Sequence, residues 1–149
     1  MRRTSFLLIL ITILLAGPAS VPGTIHGQGA PAFDVAGTDV KQVSSFLKTL
    51  QSAVAIDNRL KVASLFDFPL TVRVGGEELT LKTAADFQAR YGRIFDAQLK
   101  AAIAAAKVET LVANQQGVMF DNGRVWFRPI SEHKNAIKIV AINDPNQPR

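Results

Sequence analysis

The feature that most constrains the fold is a change in hydrophobic spacing at Pro69. Before Pro69, apolar residues recur every three or four positions, which is typical of an amphipathic helix. The members of this stripe are Val40, Val43, Phe46, Leu47, Leu50 and Val54. After Pro69, apolar and polar residues alternate, which indicates half-buried strands. Because each kind of element must bury its apolar face, the two patterns together predict helices packed on a sheet.

Two helices are predicted before Pro69. The first begins near Thr38, where Thr38 or Asp39 is suited to accept the unpaired backbone N–H groups of the first turn. A second, shorter helix carries Leu60 to Phe66. It must end before Pro69, because the residue that precedes a proline is pushed out of the helical region.

A β-hairpin and a long helix are predicted next. Residues Leu70–Val74 and Leu79–Leu81 alternate around the turn signal Gly75-Gly76. The segment Thr83–Asp86 resembles a capping box with Asp in place of Glu, so a helix should start there. We expect this helix to restart at Asp96 and to continue through the alanine-rich run that ends at Ala106.

The last third of the chain predicts three antiparallel strands. Leu111–Phe120 is interpreted as one strand region, with Gly117 as a candidate bulge. Asp121-Asn122-Gly123 predicts a tight turn, because Asn-Gly accepts positive φ angles. The returning strands are Arg124–Ile130 and Ala136–Asn143.

Simple alternation assigns the faces of these strands. It places Val125 and Phe127 on the face opposite Trp126, and Ile142 on the face opposite Ile139. Both faces then carry large apolar side chains, so one face should pack on the helices and the other should line an inner patch or contact a second subunit.

The N-terminal segment predicts export. Arg2 and Arg3 precede the apolar run Phe6–Ala16, and small residues follow, which is the pattern of a secretory signal peptide. The run is short for a bilayer span, although an uncleaved anchor is the alternative. We expect residues 1–29 to be signal peptide and leader, 30–37 a flexible N-terminus, 38–143 one domain and 144–149 a polar tail. The protein should then be periplasmic or extracellular in a bacterium, without stable membrane insertion after cleavage.

Composition excludes several kinds of site. The chain has no cysteine, which excludes disulfides, thiol nucleophiles and cysteine-based zinc sites. Without Arg2 and Arg3, fifteen basic residues face twelve acidic ones. The basic residues are scattered, so nucleic-acid binding is not expected. His133 has no second histidine at a helical spacing, and we expect neither a metal nor a cofactor.

The order of helices and strands resembles the nuclear-transport-factor-two-like superfamily over Thr38 to Asn143. The segments similar to its secreted bacterial members are Leu65–Leu70, Asp86–Phe87 with Tyr91 and Ile94–Phe95, Gly117–Phe120 and Gly123–Phe127. The resemblance implies an α+β fold, with N-terminal helices and a long helix packed on a curved, mainly antiparallel sheet in a cystatin-like or cone-like roll. It implies no single activity, because this superfamily includes isomerases, dehydratases, hydrolases and plain binding proteins.

Five aromatic residues are predicted to line the interior of the cone: Phe66, Phe87, Tyr91, Phe95 and Trp126. Two polar candidates accompany them. Asp57 is either a carboxylate that faces the interior as a general base or the cap of the second helix. Asp67 is either a partner of the Tyr91 hydroxyl or a structural partner of Arg90 or Arg93. No residue is assigned as catalytic.

Three functional hypotheses follow from these residues. The first is an exported, non-catalytic module that binds a small apolar ligand inside the cone. The second is a module that binds a protein partner, with a homodimer formed through the open sheet face. The third is a small cofactor-free isomerase, dehydratase or hydrolase that uses Asp57 or Asp67 with Tyr91.

Overall fold

A computed structural model of the chain describes residues 32–144. The predicted signal peptide and leader at 1–29, and the predicted tail beyond residue 144, lie outside the described residues. The described part combines four helices with a six-stranded mixed sheet. The helices pack on one side of this curved, open sheet, which confirms the predicted α+β class.

The helices begin at residues whose side chains accept backbone N–H groups. Their bounds are α1 Val40–Ala55, α2 Arg59–Ala63, α3 Ala84–Ile94 and α4 Ala97–Ala105. Of the two caps predicted for α1, Asp39 is the one that accepts from the Gln42 N–H, at 2.8 Å. The capping box of α3 is confirmed: Thr83 accepts from the Asp86 N–H, and the Asp86 carboxylate accepts from the Thr83 N–H at 3.0 Å.

The predicted long helix is divided into α3 and α4. The break lies at Phe95 and Asp96, where the sequence predicted a restart. The Asp96 carboxylate accepts from the Leu99 N–H at 2.7 Å and so caps α4. The same carboxylate also accepts hydrogen bonds from the buried Arg124, a contact that the sequence did not predict.

The sheet has the strand order β2-β1-β6-β5-β4-β3. The bounds are β1 Leu70–Val74, β2 Glu77–Leu81, β3 Val112–Asn114, β4 Gly117–Phe120, β5 Val125–Ile130 and β6 Ala136–Ile142. The pair β1–β2 is the predicted hairpin. β1 also pairs in parallel with β6, which joins the hairpin to the C-terminal strands. The remaining pairs are antiparallel.

The segment predicted as a single strand over Leu111–Phe120 is a hairpin. β3 and β4 pair antiparallel around Gln115-Gln116, so the prediction of one strand with a bulge at Gly117 is wrong. The Asn114 side chain accepts from the Gln116 N–H at 2.8 Å and closes the turn. Gly117 follows with φ 139°, a conformation that only glycine adopts readily.

A β-bulge between β5 and β6 changes which residues face the core. Trp126 pairs with Ala141 and Phe127 pairs with Ile139, so Val140 is an extra residue in β6. Ile139 and Ile142 are therefore both buried, at 0 % and 1 % exposed. The prediction that they lie on opposite faces is wrong, because the extra residue interrupts the two-residue period.

The core extends beyond the predicted domain start at Thr38. Phe33 lies in the stretch predicted to be flexible, yet its side chain is buried in the core cluster. The 3₁₀ turn Asp34–Ala36 that follows it lies against β3 and β4. Burial of this aromatic side chain and the backbone hydrogen bonds that Ala36 and Thr38 donate to the Phe33 oxygen together help to order this short segment.

Two glycine substitutions test this account of the fold. A Cβ at Gly117 would lie 2.7 Å from the backbone oxygen of Phe127, in addition to the unfavourable φ. We expect Gly117→Ala to lower the free energy of unfolding by more than about 2 kcal/mol. Gly92, in α3, has open space around its Cβ position. Gly92→Ala should raise stability by about 0.5–1 kcal/mol. Urea denaturation of both variants measures the difference, and equal stabilities would contradict it.

Candidate functional site

Four of the five predicted pocket residues pack against one another. Phe66, Phe87, Tyr91 and Phe95 are each at most 4 % exposed and belong to one core cluster. The ring centroids of Phe66 and Phe87 are 4.6 Å apart, and those of Tyr91 and Phe95 are 4.9 Å apart. These side chains are therefore direct neighbours, and three surface clefts in the described part of the chain are lined by other residues.

Trp126, the fifth predicted pocket residue, lies apart from these four. It is on β5, outside the core cluster that contains the other aromatic residues. Its indole N–H donates to the backbone oxygen of Gly123 at 2.9 Å, and the side chain is buried. Trp126 thereby stabilises the turn before β5.

The structure brings Asp57 and Tyr91 together with two cations. The Asp57 carboxylate accepts from the Lys100 ammonium at 2.9 Å and from the Arg59 guanidinium at 3.2 Å. Both cations also lie over the Tyr91 ring, at 5.0 Å for Arg59 and 5.3 Å for Lys100. The predicted capping role of Asp57 is wrong, because Asn58 is the residue whose side chain accepts from the first turn of α2.

The surroundings of Asp57 and Tyr91 move their pKa values apart. Lys100, with Arg59, lowers the pKa of the Asp57 carboxyl below its ordinary value. Burial, and then the nearby Asp57 charge, raise the pKa of Tyr91 to about 12. The Tyr91 hydroxyl is buried and lies beside the Asp57 carboxylate. At neutral pH the pair is an ionised carboxylate beside a neutral phenol. A general base or acid is most effective when its pKa lies near the working pH, so neither group is well suited to proton transfer at pH 7.

Asp67 is placed elsewhere, beside the loop before β6. Its carboxylate lies 3.4 Å from the His133 Nε2. The predicted partners are wrong: Arg90 lies beside Asp86, and Arg93 is paired with Glu77. The structure therefore places Asp67 beside His133, a neighbour that the sequence did not predict.

A surface cleft beside α4 was not among the predicted sites. We call it the α4 cleft. It is open to solvent and has a volume of about 440 Å³. Its lining combines apolar side chains with polar groups at Thr110 and at the β4–β5 turn; the residues are Ala102, Ala105, Ala106, Thr110, Val112, Met119, Phe120, Asp121, Asn122 and Gly123. Because the alanine side chains of α4 are small, they leave a space beside the helix. The β3–β4 hairpin does not fill this space.

A buried arginine ties the polar end of the α4 cleft to the start of α4. Arg124 is 4 % exposed, and its Nη2 donates to both carboxylate oxygens of Asp96, at 3.1 and 3.0 Å. Its Nη1 lies 3.8 Å from the Asp121 carboxylate. Two carboxylates thus compensate the desolvation of one guanidinium, which would otherwise be costly.

A glutamine of α1 holds the other end of α4. The Gln51 side-chain amide donates to the backbone oxygens of Ile103 and Ala106, at 2.9 Å each. These carbonyl groups lie at the C-terminal end of α4, where backbone donors are few: Ile103 accepts only a 3.3 Å bond from the Ala106 N–H, and Ala106 is the C-cap. Both ends of the α4 wall are therefore fixed by side chains from other elements. The one sequence signal for the cleft was the alanine run Ala101–Ala106, interpreted as helix-forming and suited to close packing.

The described residues contain no cluster of three or more potential metal ligands. Within residues 32–144, no helix has the length and apolar character needed to cross a bilayer. Comparison of the chain with family models, curated proteins and solved structures gave no match. The function must therefore be argued from the geometry of the surface.

Ionisation of Tyr91 tests the geometry around Asp57. Tyr91 is the one tyrosine of the chain, so tyrosinate absorbance during alkaline titration reports this residue alone. We expect a midpoint near pH 12, well above the ordinary value of 10.0. Since the unfolded chain loses this proton first, folding stability should fall as the pH rises from 10 towards 12, by about 2–3 kcal/mol. Tyr91→Phe should lose the absorbance change and that part of the pH dependence. A midpoint near 10 would show an accessible hydroxyl.

Proposed function

We propose that the chain is an exported, non-catalytic binding module and that its ligand occupies the α4 cleft. The observation that carries this proposal is the combination of an open apolar cleft of about 440 Å³ with walls fixed at both ends. Ligand sites of small molecules typically have volumes of about 300–1,000 Å³ and are largely pre-formed. Export rests on the pattern of the N-terminal segment.

The lining supports a small and largely apolar ligand. Alanine methyl groups with Val112, Met119 and Phe120 provide apolar contact area. The polar groups are confined to Thr110 and the Asp121–Gly123 turn. A ligand with a hydrogen-bond donor at one end, such as an alcohol, fits this arrangement, because the Asp121 carboxylate accepts hydrogen bonds. The sequence predicted that an apolar ligand would bind inside the cone. The site proposed for such a ligand is instead this cleft at the surface.

The other functional hypotheses receive less support. A homodimer through the open sheet face was motivated by large apolar side chains on both faces of the last strands. One of them, Trp126, is buried at 5 % exposure and has its N–H paired with Gly123. An enzyme that uses Asp57 with Tyr91 requires these two side chains to be neighbours, and they are. The lowered pKa of Asp57 and the raised pKa of Tyr91 nevertheless make the pair a weak base and a weak acid at pH 7.

Membership of the nuclear-transport-factor-two-like superfamily stays a proposal. It is supported by the order of the elements and by a curved sheet that carries the helices on one side. A ligand bound inside such a cone would have to displace the packed aromatic cluster. The need for this displacement favours the α4 cleft as the binding site within the same fold.

A cleft-filling substitution tests the proposal. Ala105 lines the α4 cleft, whereas Ala104, its neighbour in α4, is exposed and does not. Binding of the neutral fluorescent probe N-phenyl-1-naphthylamine, which carries one N–H donor, is measured by fluorescence, and amide chemical shifts locate it. Ala105→Phe should weaken binding about tenfold or more, because the added ring takes the space of the probe. The matched variant Ala104→Phe should bind as the original chain does.

Two results would contradict the proposal. One is equal binding by the Ala105→Phe and Ala104→Phe variants. The other is a set of shifted amides outside α4, the β3–β4 hairpin and the β4–β5 turn. A thermal-shift screen of small alcohols and carboxylates then identifies ligand classes, since a ligand that binds the folded state raises the melting temperature.

A further inference from the structure

The junction of α1 and α2 exposes two large aliphatic side chains. Ile56 is 74 % exposed and Leu60 is 70 % exposed, which makes them the most exposed large hydrophobic residues in the described part of the chain. They stand four positions apart on either side of the short link that turns α1 into α2. We call residues Ile56–Leu60 the α1–α2 corner. No element of the described residues buries these two side chains.

Cations surround the α1–α2 corner. Lys48 and Lys61 line the same shallow cleft as Ile56, and neither has an ion-pair partner among the described residues. Arg59 and Lys100 share the single carboxylate of Asp57. Four basic residues therefore face one acidic residue at this corner. Residues 32–144 contain fourteen basic and twelve acidic residues, so the corner carries the positive excess and the rest is nearly balanced.

We propose that the α1–α2 corner docks on an anionic lipid surface, with Ile56 and Leu60 in the outer apolar layer and the four cations at the headgroups. This combination of aliphatic tips and basic residues is the one that peripheral membrane-binding surfaces use. Each basic residue near an anionic leaflet adds attraction that depends on salt.

A protein partner fits the same corner less well. Lysine is depleted in the centres of protein–protein interfaces, and energetically important contacts there are usually aromatic residues or arginines seated in pockets. The corner instead presents two aliphatic side chains that protrude from a turn, with Lys48, Lys61 and Lys100 close by. The inference is independent of the α4 cleft, which lies between α4 and the β3–β4 hairpin.

Vesicle co-sedimentation of the full chain tests this docking. Vesicles containing anionic phosphatidylglycerol are compared with purely zwitterionic phosphatidylcholine vesicles, and hydrogen exchange locates the contact. We expect binding to the anionic vesicles, protection of amides at residues 56–60, and release at high salt. The double variant Ile56→Asn with Leu60→Asn should bind at least about fivefold more weakly. Lys48→Gln with Lys61→Gln should reduce binding at low salt roughly twentyfold.

A matched control separates the corner from other exposed aliphatic residues. Val35 and Val40 are also exposed, at 49 % and 45 %, and belong to neither surface named above. Val35→Asn with Val40→Asn should bind vesicles as the original chain does, and all three double variants share the same N-terminal segment. The proposal would be overturned if the variant Ile56→Asn with Leu60→Asn bound anionic vesicles as tightly as the original chain does. It would also be overturned if the original chain bound zwitterionic and anionic vesicles equally. A dimer in sedimentation that needs Ile56 and Leu60 would overturn it too, because a second copy would then cover the corner.

Discussion

Packing of the aromatic cluster is the constraint on which the remaining structure depends. Phe66 is its central member, because its ring contacts Phe87 while its backbone forms a bridge to Ile139 of β6. The flanking groups extend this bridge: Ile139 N–H donates to Leu65 at 2.7 Å, and Asp67 N–H donates to Ile139 at 3.0 Å. These contacts fix the distance between residues 65–67, which follow α2, and strand β6 of the sheet. Because aromatic rings occupy the space between the helices and the sheet, the clefts described above lie at the surface.

The Asp96–Arg124 contact has a comparable role at the other end of the molecule. One carboxylate caps α4 and also pairs with a buried guanidinium that follows the β4–β5 turn. Breaking such a buried pair leaves an uncompensated charge, so the relative position of α4 and the turn is strongly specified. The backbone oxygen of Gly123 accepts from both Trp126 and Asn143 and secures the same turn. The α4 cleft is the gap between these fixed parts.

Much of the fold could be predicted from local patterns, but its irregular positions could not. The caps at Asp39 and Thr83 and the helix restart at Asp96 could be predicted, because each depends on residues within one helical turn. The cap of α2 was assigned to Asp57, one position before the actual cap Asn58. The β3–β4 hairpin was missed because Gln115-Gln116 carries no turn signal, and the Asn114 side chain closes the turn instead. The faces of β6 were assigned wrongly because a bulge depends on the partner strand. The α4 cleft was missed because its walls come from separate parts of the chain.

By itself the sequence determined the rhythm of helices and strands, the caps of α1 and α3 and the hairpin at Gly75-Gly76, since these features arise from contacts between near neighbours along the chain. Tertiary structure alone decided which polar groups meet. Lys100 reaches Asp57 across 43 positions, and Gln51 reaches the end of α4 across 52. Such contacts follow from strand register and from how side chains pack between layers. Those properties depend on the whole fold, so no local pattern could place the aromatic residues in a packed core and the open cleft beside α4.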